Sequence, residues 1–126
     1  MIFVDTNVWM YAVGGSHPLR RRARALLLEH ADGQRMATSA EVLQELLHAY
    51  LPVQRVDTLD AALRLATELA DVWSLDADDV ALARALHSAH PGLSARDLIH
   101  LAVCLRREVT SLLSFDQGLV VAFGGR

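Results

Sequence analysis

Four carboxylates, Asp5, Glu45, Asp97 and Asp116, stand where the chain could bring them to one acidic cluster. The chain holds 15 acids in 126 residues, so acid type alone says little and the reading rests on position. Asp5 closes the apolar run Ile2-Phe3-Val4, and Asp116 follows Leu112-Leu113-Ser114-Phe115. Both come just after expected strands and open a loop, and each taken alone reads equally well as a turn or cap residue. Thr6 and Asn7 are placed to orient the Asp5 carboxylate, or a water on it, through hydrogen bonds. Glu45 lies at the margin of the apolar arc Val42, Leu43, Leu46, Leu47 and Tyr50, where it lines a cleft or a solvated flank. Asp97 carries more. It shares a stripe with Leu101 and Cys104 on a helix, Ala95–Arg107, that is apolar almost all round. A buried ionised carboxylate needs a partner, a metal or a shifted pKa. The competing reading is a capping box with Ser94, although that motif prefers Glu or Gln where Asp97 stands.

Carboxylates held within a few ångströms of one another repel unless cations neutralise them. Hard divalent ions such as Mg²⁺ or Mn²⁺ take oxygen ligands, typically one or two carboxylates with waters and substrate phosphate. The chemistry such a cluster suits is phosphodiester hydrolysis, with the ion activating water and offsetting charge on the phosphate.

The elements that must position these acids are short strands separated by helices. Ile2–Val4 reads as a buried strand, followed by a Gly14-Gly15-Ser16 loop and a helix from Pro18 to Ala31. A strand around Arg35–Ala37 precedes a capping box, Thr38-Ser39-Ala40-Glu41, which opens a helix to Tyr50. An amphipathic helix covers Val56–Ala70, and Val72–Leu75 is the third strand. Asp76–His90 is helical, Ser94 caps a helix to Arg107, and Leu112–Ser114 is a strand. Val120–Phe123 is expected as a last edge strand. This alternation predicts parallel βαβ units in a three-layer α/β/α sandwich with a short, mainly parallel sheet. In such sheets ligands sit at the carboxyl ends of the strands, where Asp5 and Asp116 lie.

Length allows a single domain over residues 1–126, and 52% hydrophobic content supplies a core. No apolar stretch approaches the roughly 20 residues needed to span a bilayer. The opening MIFVDTNVW has no basic leader before Asp5, so a signal peptide is not expected. Cys104 is the one cysteine, which excludes an internal disulfide and fits a reducing cytoplasm. Cys104 reads as a core residue and Trp9, Tyr11 and Trp73 as core or dimer contacts, with base stacking the alternative. His87 and His90 lack the partners of a zinc site. Net charge is −3, yet all 12 basic residues are arginine, and Arg20, Arg21, Arg22 and Arg24 form one cluster. That cluster could hold RNA phosphates or be a solvated helix face; Arg96, beside Asp97, could reach substrate or orient a carboxylate.

These blocks together resemble the PIN-domain family, specifically its VapC-type toxins. The opening Val4-Asp5-Thr6-Asn7-Val8 is similar to the family's first acidic motif. Ser39-Ala40-Glu41-Val42-Leu43-Gln44-Glu45 resembles the second block, with Glu45 rather than Glu41 as its acid. Ala95-Arg96-Asp97-Leu98-Ile99-His100-Leu101-Ala102 resembles the third, and Ser114-Phe115-Asp116-Gln117-Gly118-Leu119 the fourth, Ser114 being its hydroxyl residue. Relatives often carry a charged residue and an aromatic at the positions of Gly118 and Leu119. The resemblance spans about residues 1–119. It implies a Mg²⁺- or Mn²⁺-dependent endoribonuclease, a homodimer, and inhibition by a cognate antitoxin protein, with Asp5, Asp97 and Asp116 on the metal and Glu45 completing the cluster. Haloacid-dehalogenase-type phosphatases and response-regulator receivers also open with a strand and an Asp. Both use a lysine near the phosphoryl group, and this chain has none. A non-catalytic PIN-like assembly module and a DNA-directed nuclease are the remaining alternatives. The presence of all four acids opposes the first, and the lack of added arch or clamp segments opposes the second.

Overall fold

The computed structural model describes residues 1–125. The chain runs β1 (Ile2–Val4), α1 (Thr6–Val13), α2 (Arg20–Ala31), β2 (Met36–Ser39), α3 (Ala40–Tyr50) and α4 (Val56–Leu69). It continues through β3 (Ala70–Trp73), α5 (Ala77–Leu86), α6 (Ala95–Arg106), β4 (Ser111–Leu113) and α7 (Gln117–Gly124). The four strands form one sheet in the order β3-β2-β1-β4, and every pairing is parallel. The chain steps outward from β1 to β2 and β3, then returns across the sheet to add β4 on the free side of β1. Right-handed crossovers therefore put α1–α4 on one face and α5 and α6 on the other. The packing agrees: α1 lies against α2, α3 and α4, whereas α6 packs on α5 and α7. This is the expected three-layer α/β/α sandwich. The reversal between β1 and β4 opens a crevice at the carboxyl ends of both strands.

β1 is covered on both faces, which is why Ile2, Phe3 and Val4 are apolar without alternation and almost wholly buried. Around it gather Val8 and Trp9 of α1, Leu46 of α3 and Val103 of α6. Cys104 is buried in α6, as expected of a core residue.

Three expectations are corrected. Val120–Phe123 is not an edge strand but part of α7. The Asp116 carboxylate accepts the Leu119 N–H at 3.0 Å to start that helix, and Leu119 and Ala122, three apart, face inward. A short apolar run carries no decisive periodicity, so the cap and its tertiary packing settle it. Asp5 opens a helix rather than a loop, because its side chain accepts the Thr6 N–H and caps α1 at once. The predicted cap of α3 also moves by one residue: Ser39 accepts the Val42 N–H, and Thr38 stays in β2.

One polar knot away from the crevice fixes α5 against α6. Asp79 is fully buried; it accepts Arg106 Nη1 at 2.7 Å, Arg107 Nη1 at 2.9 Å and the Asp76 N–H at 2.8 Å. Arg107 also lies over the Trp73 ring at 5.4 Å. Burial opposes ionisation of Asp79, but the bonds from Arg107, the Asp76 backbone and Arg106 bring its pKa down to about 2. The ionised form is therefore favoured by folding, and its contribution is complete above 3.8, the ordinary value. It is lost as pH falls from there through about 2. Asp79→Asn should cost about 1.5–3 kcal/mol at neutral pH in urea unfolding, with the gap from wild type closing toward the acid end of that window.

Candidate active site

The crevice is built on Asp5. One carboxylate oxygen accepts the Thr6 N–H at 2.7 Å; the other accepts the Ser114 hydroxyl at 2.6 Å and Asn7 Nδ2 at 3.4 Å. Ser114 in turn accepts the Asp116 N–H at 3.0 Å, and Asn7 Oδ1 accepts the Phe115 N–H at 3.1 Å. Asp5 N–H donates to Leu113 O at 3.0 Å. The ends of β1 and β4 are thus tied by their own polar side chains, and Asp116 is held beside Asp5 before any ligand arrives. Gly118 keeps room there: a Cβ at this position would stand 3.3 Å from Asp116 Oδ1.

Glu45 reaches the crevice from α3 and is buried rather than marginal. Its two oxygens lie 2.9 and 3.1 Å from His100 Nε2, and the Thr6 hydroxyl donates to one of them. His100, from α6, is 1% exposed, and its Nε2 is also 3.6 Å from Asp5 Oδ1. With its proton on Nε2, one imidazole N–H serves Glu45 and lies between two carboxylates that otherwise repel. Burial works against charge on Glu45, but the His100 bond and charge, the Thr6 hydroxyl and the Arg96 guanidinium together hold its pKa below the ordinary range. Burial likewise disfavours a charged His100, yet Glu45, Asp5 and Asp97 raise it above its usual value.

Asp97 and Arg96 sit on the first turn of α6. Only half of the capping box forms: Ser94 Oγ accepts the Asp97 N–H at 3.2 Å, while the Asp97 carboxylate lines the crevice. That carboxyl is pushed up to about 6 by burial, by the charge and hydrogen bond of Asp116, and by the charge of Asp5, against a weaker opposing bond from Ser94.

Asp5, Glu45, Asp97, Asp116, Thr6, Asn7 and Arg96 therefore line one cleft of about 410 Å³, with Ser94 and His100; Ser114 supports it from beneath. The arginine cluster is elsewhere. Arg20, Arg21 and Arg24 line a separate hollow with Ser16 and His17, and Arg22 faces Glu29 across the surface of α2 at 4.0 Å. Sequence reasoning did not single out His100. Its signal was there: it is the one basic residue in the apolar run Leu98–Leu105 and stands one turn from Asp97, on the same face. Ligand atoms of Asp5, Glu45 and His100 all lie within 4.8 Å of one another. Asp97 and Asp116 add carboxylate oxygens on the open side, close enough for the charge of Asp116 to raise the Asp97 carboxyl. A hard divalent cation fits the carboxylate oxygens of Asp5, Asp97 and Asp116, with the His100 N–H turned to Glu45.

The PIN-domain family model matches residues 2–122. Ribonuclease VapC23 of Mycobacterium tuberculosis is 60% identical over 126 residues, covering 98% of each chain. Ribonuclease VapC13 of the same organism is 40% identical over 120 residues, covering 94% of this chain and 92% of the relative. Among solved structures, M. tuberculosis VapC20, described as a sarcin-ricin loop cleaving toxin, superposes with a TM-score of 0.81 at 24% identity over 97% of this chain and 95% of that one. VapBC2 from Rickettsia felis, bound to a promoter DNA fragment, superposes at 0.72 and 16% identity over 93% of this chain and 90% of that one. With the family match covering nearly its whole length and full-length kinship to VapC23 and VapC13, the chain belongs to the PIN-domain family, among its VapC-type ribonucleases.

Proposed function

We propose that the cleft hydrolyses RNA phosphodiester bonds endonucleolytically with a bound Mg²⁺ or Mn²⁺, and that Asp5, Asp97 and Asp116 hold the ion. The observation that carries this reading is the convergence of three carboxylates from β1, α6 and the loop after β4, with Asp97 raised by burial and by its acidic neighbours. When bound, the cation supplies Lewis acidity that acidifies water and offsets phosphate charge. The protein does the rest. Ser114, Thr6 and Asn7 fix Asp5 in one orientation. Glu45 has both oxygens engaged by His100 and Thr6, so it completes the cluster from an outer position and holds the wall of the cleft. Arg96 is the cleft's own guanidinium and is suited to a bidentate grip on the scissile phosphate.

The ribonuclease activity named for VapC23, at 60% identity, supports RNA as the substrate. We extend the family's pattern to the remaining partners: a cognate antitoxin that silences the cleft, and a second copy of this chain in a homodimer, acting in the cytoplasm. Among the described residues no helix is long and apolar enough to cross a membrane. The test is cleavage of total cellular RNA by purified, antitoxin-free protein in Mg²⁺, Mn²⁺ or EDTA. Discrete fragments with either metal and none in EDTA are expected; folded protein that binds neither ion would overturn the reading.

A further inference from the structure

A second feature stands beside the cleft and has no part in holding the ion. Phe115, one residue before Asp116, meets Tyr11 edge-on at 5.5 Å, and Tyr11 stacks on His17 at 4.4 Å with 22° between the rings. His17 is exposed, yet its ring is pinned: besides the stack, Nδ1 accepts the Leu19 N–H at 3.0 Å. Beyond His17 lies the hollow of about 530 Å³ lined by Arg20, Arg21 and Arg24. None of these three arginines is within ion-pair reach of a carboxylate among the described residues, and Arg20 Nε is buried without a partner. Only Arg24 is tied down, donating from Nε to Ala12 O at 2.9 Å. Arg20 and Arg21 stand in the first turn of α2, where the helix dipole disfavours them and no acid offsets them. Their placement does not serve the helix.

We infer that the aromatic ladder Phe115–Tyr11–His17 and the hollow at Arg20, Arg21 and Arg24 form a track for single-stranded RNA outside the cleft, with a base on the exposed His17 ring and phosphates in the hollow. Stacked rings next to an unpaired basic groove are what single-stranded nucleic acid requires, and a ring already ordered costs little to use. The acidic cleft repels a polyanion until its ion is in place, so adjacent arginines supply the attraction that the net charge of −3 lacks. This inference rests on the ribonuclease reading and deepens it.

The test is binding of a labelled, mixed-sequence single-stranded RNA to the full chain in EDTA, over a range of salt. Mn²⁺ affinity and RNA cleavage are measured in parallel. The double variant Arg20→Ala, Arg21→Ala should bind about tenfold more weakly at physiological salt, with the slope of log K against log salt shallower by about 1.4. His17→Ala should lose about five- to tenfold on single-stranded RNA and little on duplex, and His17→Phe should restore it. Arg22→Ala, in the same cluster but outside the hollow, should stay within about twofold. Mn²⁺ affinity should be unchanged throughout. If wild type cleaves RNA while these variants bind like wild type, or Arg22→Ala weakens binding as much as the double variant, the track is wrong and the nuclease stands. If wild type neither binds nor cleaves RNA, both readings fall.

Discussion

Asp97→Asn should abolish RNA cleavage, by about 10³-fold or more, while leaving the metal-free protein at least as stable as wild type at neutral pH. The two effects share one cause. Asp97 is raised to about 6 because it is half-buried against Asp116 and Asp5. Raised from its usual 3.8, the folded state holds the proton more tightly than the unfolded chain does. Stability of the metal-free wild type therefore falls as pH rises from about 4 through about 6, and the neutral amide removes that fall. The carboxyl is partly solvated, so screening limits the gain to the order of 1 kcal/mol. Cation binding runs the other way: it needs Asp97 ionised, so Mn²⁺ affinity of wild type should weaken below about pH 6. Urea unfolding in EDTA at several pH values, with calorimetric Mn²⁺ titration, measures both. A variant clearly less stable than wild type at neutral pH in EDTA, or one that still cleaves, would show that Asp97 is a structural residue.

His100→Ala should be the most destabilising single change inside the site. It leaves Glu45 buried beside Asp5 with only the Thr6 hydroxyl as a donor, and an uncompensated buried carboxylate costs about 2–4 kcal/mol next to a solvent-accessible cleft. The charged-imidazole part of this contribution is complete below 6.5, the ordinary value, and is lost as pH rises through the raised folded value. Loss of the orienting N–H should also weaken Mn²⁺ binding by about 10–100-fold. Combining His100→Ala with Glu45→Gln separates the two roles. Removing the carboxylate's charge should recover most of the stability but not the affinity, so the pair should be strongly non-additive in unfolding. Equal stability and Mn²⁺ affinity in wild type and His100→Ala would reject the clamp.

Much of this site could be read from local pattern. Asp5 and Asp116 follow apolar runs, and a parallel sheet gathers the ends of its strands whatever its other details, so their proximity was expected from order alone. Asp97 was conspicuous because a carboxylate on a nearly all-apolar helix has few places to go. Glu45 was harder: helix periodicity put it at the edge of an arc, and only the approach of α6 made that edge an interior. The presence of α1 and the helical state of Val120–Phe123 were not legible, because each depends on an aspartate side chain capping the residues after it. Sequence offers such an aspartate as a turn or a cap without choosing between them.

Local chemistry thus specified the acids, their order and the sheet that collects them, since strand ends and helix faces follow from periodicities of two and about 3.6 residues. Contacts between elements distant in sequence set the rest. His100 became the partner of Glu45, 55 residues away, only when α6 packed across β1. Asp79 found its two arginines only when α5 met the end of α6. A buried ionisable side chain is stable only beside its partner, and the partner's identity lies in how the layers are stacked.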